Sequence, residues 1–207
     1  DAGGTPAATF TTYTDVAVFT RTPPQPLPEQ PSALFVGVLE RYKNIAGVAD
    51  AWRRAAAQVP DARFRLVGDG RETDVVARLV TDVPGRTEWT RRLRPDEIAQ
   101  ALDDSTVLLL PSFSEGLPRV AMEAFARGRP VIGARAGGIP DIVEDGVNGL
   151  LVDPHDAGSI AAALVRILSD CELAERLAAG AAASAQQWLQ PPEVYARRMR
   201  ELVEGLL

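Results

Sequence analysis

The succession of apolar runs along the chain predicts an α/β domain, a doubly wound parallel sheet of about six strands with helices on both faces. Three observations lead there. Short apolar runs bounded by turn residues alternate with longer segments of helical period, the pattern of repeated strand–helix units. Most of the short runs are apolar at nearly every position, as strands buried on both faces require. The chain has 207 residues, 46% of them hydrophobic, enough for one core of ordinary size. In such a Rossmann-like sheet, ligands lie in the crevice at the C-terminal ends of the strands.

The elements follow in order. Residues 1–14 are rich in Gly, Ala and Thr and show no period. Residues 22–31 carry Pro23, Pro24, Pro26, Pro28 and Pro31, which favour an extended, stiff run. Residues 1–31 are therefore read as a leader and Pro-rich interdomain linker, 32–190 as the packed domain, and 191–207 as a C-terminal helix. The first strand is expected over 33–38 (ALFVGV). A helix over 45–59 places Val48, Ala49, Trp52, Ala56 and Val59 at helical spacing, with Trp52 in the core. A second strand over 63–67 ends in the turn Gly68-Asp69-Gly70, and a helix over 72–81 carries Val75, Val76, Leu79 and Val80. A weak strand near 86–89 precedes a helix over 95–102, which has Pro95 at its start and Asp96 and Glu97 in its first turn. The clearest strand is 106–110 (TVLLL), closed by Pro111. The helix over 119–127, with Phe125 on its apolar face, is stopped by Gly128 and Pro130. Strands over 131–134 and 149–152 and helices over 156–168, 172–187 and 193–203 complete the chain, with Asp156 as a helix cap.

Composition excludes several kinds of chemistry. One histidine (His155) and one cysteine (Cys171) cannot build a Cys/His zinc site within one chain, and a catalytic triad would have to use His155. No disulfide within the chain is possible. The net charge of -6 argues against broad nucleic-acid binding. No stretch of about 18 apolar residues and no charged-then-apolar signal segment is present. The lone thiol is compatible with a reducing compartment, and the expected location is cytoplasmic.

Two segments carry the candidate chemistry. In residues 111–132, PSFSEGLPRVAMEAFARGRPVI, Glu115 and Glu123 are separated by seven residues. A strand precedes them and a helix contains the second. The helix start offers free N–H groups and the positive end of a dipole, suited to a phosphate. Glu115 can accept bonds from sugar hydroxyls and Glu123 from both hydroxyls of a ribose. By the plain alternative, Glu115 caps the helix and Glu123 lies on a solvated face. The second segment, residues 37–44 (GVLERYKN), follows the first strand and holds the chain's one lysine. Gly37 permits close approach of a ligand, and Arg41 and Lys43 supply positive charge where a diphosphate would sit, or else are ordinary loop charges.

Together these segments resemble the C-terminal, donor-binding domain of GT-B fold glycosyltransferases, of the large retaining group 1 family with the E-x7-E motif. The resemblance rests on Gly37…Lys43, Val67-Gly68-Asp69-Gly70, Pro111-Ser112…Glu115-Gly116, Glu123-Ala124, Gly128-Arg129-Pro130-Val131, Gly137-Gly138 and Asn148-Gly149-Leu150-Leu151-Val152. It runs over about residues 15–168. The resemblance implies a nucleotide-diphosphate sugar, UDP-, GDP- or ADP-linked, as substrate, with no cofactor and no metal. Lys43 would bind the diphosphate, Glu123 the ribose, and Glu115 with the backbone of Gly116 and Leu117 the transferred sugar. Lys43 and Glu115 would be the catalytic residues. Gly37, Arg41, Pro118 and Arg119 complete the implied donor-binding set, and Trp89, Thr90 and Arg91 would lie near the base. It also implies an N-terminal acceptor domain that this chain lacks, toward which the last helix would cross and through which membrane contact could come. Residues 15–19 (DVAVF) are like the family's interdomain segment, so the chain reads as a fragment cut near the domain junction and inactive alone. Two positions depart from the family pattern: Val38 stands where an arginine is usual, and Pro118, which has no N–H, where glycine is common.

Two other readings compete with this one. A non-catalytic nucleotide-sugar-binding or scaffold domain working with a partner chain is the first alternative. The second is a nicotinamide-dependent enzyme using Gly68-Asp69-Gly70-Arg71-Glu72-Thr73, a near miss for G-x-G-x-x-G, with Glu88 twenty residues on. A tight turn is the favoured reading of that segment. Gly137-Gly138-Ile139-Pro140-Asp141 either turns free N–H groups toward the ligand crevice or, the favoured reading, is a tight turn into a short helix with Asp141 in its first turn. A catalytic role is not expected for His155, and Cys171 is read as inert.

Overall fold

Six strands form one all-parallel sheet in the computed structural model, which describes residues 17–188 and 192–205. In chain order they are β1 (Ser32–Val36), β2 (Arg63–Val67), β3 (Thr87–Thr90), β4 (Val107–Leu110), β5 (Val131–Ala134) and β6 (Gly149–Val152). Across the sheet the order is β3-β2-β1-β4-β5-β6, so the winding reverses between β1 and β4. Ala33 of β1 lies opposite Phe64 on one side and Val107 on the other. The doubly wound α/β prediction is met, and the crevice at the β1/β4 reversal is the place where such sheets hold ligands.

Among the described residues the helices are α1 (Ala17–Thr20), α2 (Ile45–Gln58), α3 (Thr73–Asp82), α4 (Pro95–Asp103), α5 (Arg119–Ala126), α6 (Ala157–Ser169), α7 (Cys171–Trp188) and α8 (Pro192–Glu204). One core layer sets α2, α3 and α6 against Phe35, Phe64, Leu66 and Leu109. The other sets α4, α5 and part of α7 against Leu34, Leu108, Leu110 and Val131. Alternate strand residues feed opposite layers, as the period of two requires. Trp52 and Phe125 are fully buried, as expected. The indole N–H of Trp52 donates to Thr87 Oγ1 at 2.8 Å, so the largest core residue has no orphaned polar atom.

Local chemistry sets the helix limits. Pro95 opens α4, and Glu97 accepts a bond from the Arg94 N–H at 2.7 Å. Asp156 caps α6 by accepting from Gly158 N at 2.8 Å, as the sequence predicts. Gly128, at φ +63°, ends the turn after α5.

Two expectations about local structure are corrected. The first strand stops at Val36, not Val38. Beyond it the chain runs on beside the segment after β2 through Gly37 N–Val67 O and Leu39 N–Asp69 O, each 3.0 Å. The segment after Gly137-Gly138 forms one turn, closed by Val143 N–Ile139 O at 2.9 Å, and no helix. Pro140 lacks an N–H, and Gly146, at φ +78°, turns the chain into β6 before a second helical turn can form.

Residues 1–16 of the leader, with Asp15 and Val16 of the interdomain-like segment, lie outside the described residues, as do 189–191 and 206–207. From Ala17 onward the lead-in lies against the domain. Two arginines, each 1% exposed, hold it there. Arg127 donates to the carbonyls of Thr22 (2.7 Å) and Pro23 (3.1 Å) and, through Nε, to Asp103 Oδ1 (2.9 Å). Arg129 donates to the carbonyls of Gln25 (2.8 Å), Pro26 (3.0 Å) and Leu102 (2.9 Å). A proline-rich run has few N–H groups to satisfy, so its free carbonyls suit guanidinium donors.

Candidate functional site at the sheet reversal

The loops that leave β1 and β4 meet at the C-terminal edge of the sheet. After β1 the chain makes a 3-10 turn over Arg41–Lys43, which aims the Lys43 side chain back toward the β4 loop. The Lys43 ammonium and the Glu115 carboxylate form an ion pair, with side chains only 11% and 13% exposed. The two loops are also joined by Phe113 N–Tyr42 O at 2.8 Å. Removing either charge leaves the other half-stranded in a poorly hydrated place, which costs several kcal/mol in a buried pair, on the order of 3–5. Glu115 is therefore not a helix cap. The residue before α5 is Pro118, and no side chain caps that helix.

The loop after β5 fixes the other side of Glu115. Gly138 N donates to the Glu115 carbonyl at 2.9 Å. A Cβ on Gly137 or Gly138 would run into the backbone of Glu115 or Gly116, and Gly137 also sits at φ +57°. The glycine pair thus lets two loop backbones touch.

Glu123 lies one turn into α5 and is 9% exposed, so the solvated-face alternative is overturned. Burial pushes its carboxyl above the ordinary range, and Arg119, with Nη2 3.7 Å away, partly draws it back. Arg119 itself is exposed. Gly116 is open to solvent, Leu117 is partly buried against the α4/α5 layer, and Pro118 is buried. Arg41 and Val38 are exposed at the rim.

Beyond Gly37 lies an open cleft of about 250 Å³. Its lining includes Gly37, Val38, Gly68, Asp69 and Arg91. Trp89 is anchored by its indole N–H to the Gly68 carbonyl at 2.9 Å. The Arg91 guanidinium lies over the Trp89 ring, 4.9 Å from its centroid, and pairs with Asp69 at 2.6 Å. That pair is exposed and adds little stability, but it orients the edge of the cleft. Thr90 accepts from Gly68 N at 3.0 Å. A Cβ at Gly68 or Gly70 would meet the backbone of Gly37 or Leu39. The glycines serve contact between two chain segments, the turn reading of this segment rather than a dinucleotide fingerprint. A second cavity, of about 300 Å³ beside Arg63, Arg65 and Glu88, does not adjoin these loops.

Sequence reasoning missed Asn44 and the partner of His155. Asn44 is 5% exposed and left-handed, at φ 58° and ψ 43°. Its amide nitrogen donates to the carbonyls of Pro111 (3.2 Å) and Pro154 (2.7 Å), and its Oδ1 accepts from Gly47 N (3.2 Å). His155 stacks on Phe113, with centroids 4.9 Å apart. An asparagine directly before a helical segment is the pattern that could have marked Asn44 as a cap, but nothing local points to Pro154.

The architecture is that of a doubly wound, Rossmann-like α/β domain with a cation–carboxylate pair at its reversal point. Residues 30–170 match the family model "Glycosyl transferases group 1", and the chain belongs to that family. It is 34% identical over 204 residues to a D-inositol 3-phosphate glycosyltransferase of Nocardioides, covering 87% of this chain and 44% of that protein. The C-terminal domain of a group 1 family protein, LpcC of Francisella tularensis, superposes with a TM-score of 0.74 at 20% identity, covering 84% of this chain and 97% of that one. HepE of Anabaena, solved with UDP and glucose, gives a TM-score of 0.72 at 25% identity, covering 83% of this chain and 48% of that one. The chain spans less than half the length of the first curated relatives it matches. No helix among the described residues is long and apolar enough to cross a membrane.

Proposed function

We propose that this chain is the donor-binding half of a retaining glycosyltransferase and that its ligand is a nucleoside diphosphate sugar. One observation carries the reading: the partly buried Lys43–Glu115 pair joins the β1 and β4 loops at the sheet reversal. A diphosphate arriving there takes over the ammonium, and Glu115, released, accepts from hydroxyls of the sugar. The free N–H groups at the start of α5 face the same developing charge, and Pro118 removes one donor from that set. Glu123 holds the ribose, and the Trp89–Arg91 edge borders the base. As the bond from the sugar to the leaving phosphate breaks, Lys43 and the helix start stabilise the negative charge that grows on that phosphate. In this reading the transfer needs no metal, the acceptor is held by another domain, and the isolated chain binds donor and transfers nothing.

Calorimetry with UDP, GDP and ADP tests the reading. At least one should bind, and Lys43→Ala should weaken it about tenfold or more, the worth of one charge-assisted contact. Because Glu115 neutralises Lys43 in the free chain, Glu115→Gln should strengthen binding of the bare diphosphate and weaken binding of the matching sugar nucleotide. Absence of heat with all three nucleotides would sink the donor-site assignment.

A further inference from the structure

Asn44 is the one described non-glycine residue at positive φ. Left-handed backbone is costly for most side chains and tolerated by asparagine. Here the conformation lets one residue do three jobs. Its backbone ends the 3-10 turn that carries Lys43, with Asn44 N donating to the Arg41 carbonyl at 3.0 Å. Its Oδ1 caps α2 at Gly47 N, and a Cβ at Gly47 would strike the asparagine side chain. Its amide nitrogen spends its donors on Pro111, the residue that leaves β4, and Pro154, in the loop after β6. Loops after β1, β4 and β6 are thus stapled by one buried amide directly beside Lys43.

From this geometry we infer that Asn44 is a positioning residue for the Lys43–Glu115 pair and, through Pro154, for the His155–Phe113 stack at its rim; the inferred use of the pair in donor binding rests on the function proposed above. The logic is geometric. Lys43 and Glu115 belong to segments 72 positions apart, and an ion pair between long side chains is held only as well as the backbones that carry them. Phe113 N–Tyr42 O fastens the loops on one side, and Asn44–Pro111 fastens them on the other. Asn44 touches no reacting group and acts through Lys43.

The chain contains a single lysine. Labelling lysine with 13C at Cε therefore gives one side-chain resonance, which reports on Lys43 without any nucleotide. Asn44→Asp keeps the αL backbone and the cap acceptor but sets a carboxylate against two carbonyls. Asn44→Gly keeps the backbone and deletes the side chain. In both folded variants the Lys43 resonance should move toward its position in Glu115→Gln, the chain without the pair. A resonance that stays at its wild-type position in both variants overturns the inference, whatever the nucleotides do. A cycle with the tightest-binding of UDP, GDP and ADP extends the test. Asn44→Asp should cost about fivefold to tenfold in affinity when Lys43 is present and less than about twofold in Lys43→Ala. Equal losses in both backgrounds would overturn the positioning role while leaving the donor site standing.

Discussion

Replacing Arg127 by methionine removes a guanidinium that is 1% exposed and leaves the Asp103 side chain, 9% exposed, without its close partner. Arg129 remains, but its nearest approach to that carboxylate is 3.9 Å. Breaking a buried pair from one side costs about 3–5 kcal/mol, because the surviving charge is stranded. The carbonyls of Phe19, Thr22 and Pro23 lose a donor as well. Each would add about 1–3 kcal/mol if it stayed dry, but the segment is at the surface and recovers water by peeling away. The cost is therefore capped by detachment of the lead-in, and the expected loss is about 3–5 kcal/mol. At about 2–4 °C per kcal/mol for a domain of this size, Tm should fall by about 6–20 °C. Urea unfolding followed by tryptophan fluorescence measures the loss. Trypsin reads the detachment directly, because Arg21 lies inside the held segment and is exposed. Cleavage after Arg21 should be faster in Arg127→Met than in wild type, with Arg127→Lys between them, since an ammonium keeps the charge but not the fork. A loss under about 1 kcal/mol with unchanged digestion would refute the clamp.

Two further outcomes follow from the site. The Glu123 carboxyl is raised by burial, so the folded chain holds its proton at a pH where the unfolded chain has released it. Stability should therefore fall as pH rises from the ordinary glutamate range through the raised folded value, and Glu123→Gln should flatten that slope and stabilise the chain at pH 7, as read by Tm against pH. A wild-type slope retained in the variant would assign it to another group. Gly138→Ala should destabilise the chain by about 1–3 kcal/mol, because its Cβ would meet the Gly116 carbonyl and neither backbone can yield freely. Chemical denaturation checks this, and a change below about 0.5 kcal/mol would show that the β4 and β5 loops are not in tight contact.

The strands were legible because strands buried on both faces must be nearly all apolar; the VLLL run of β4, buried at all four positions, leaves no other reading. Where the signal was weaker, as for β3, the expected strand was displaced by one residue, to Thr87–Thr90. The proposed site was legible in type and less so in geometry. The spacing of Glu115 and Glu123 and the lone lysine marked the crevice. Glu123 could be read as solvated because its burial depends on packing around α5, which lies outside the local pattern. Arg127 and Arg129 flank Gly128 in an Arg-Gly-Arg-Pro stretch that reads only as a helix end. Their role depends on carbonyls about 100 residues away.

By itself, the sequence determined the class of fold, the order of strand and helix, and which loops follow the strands' C-terminal ends, since periodicity and turn chemistry act over a few residues. Only the tertiary structure decided that Lys43 meets Glu115, that paired glycines exist for loop-to-loop contact, and that one asparagine joins three loops. Those facts depend on distances between segments 22 to 110 positions apart, which chain closure over the sheet fixes and no local pattern encodes.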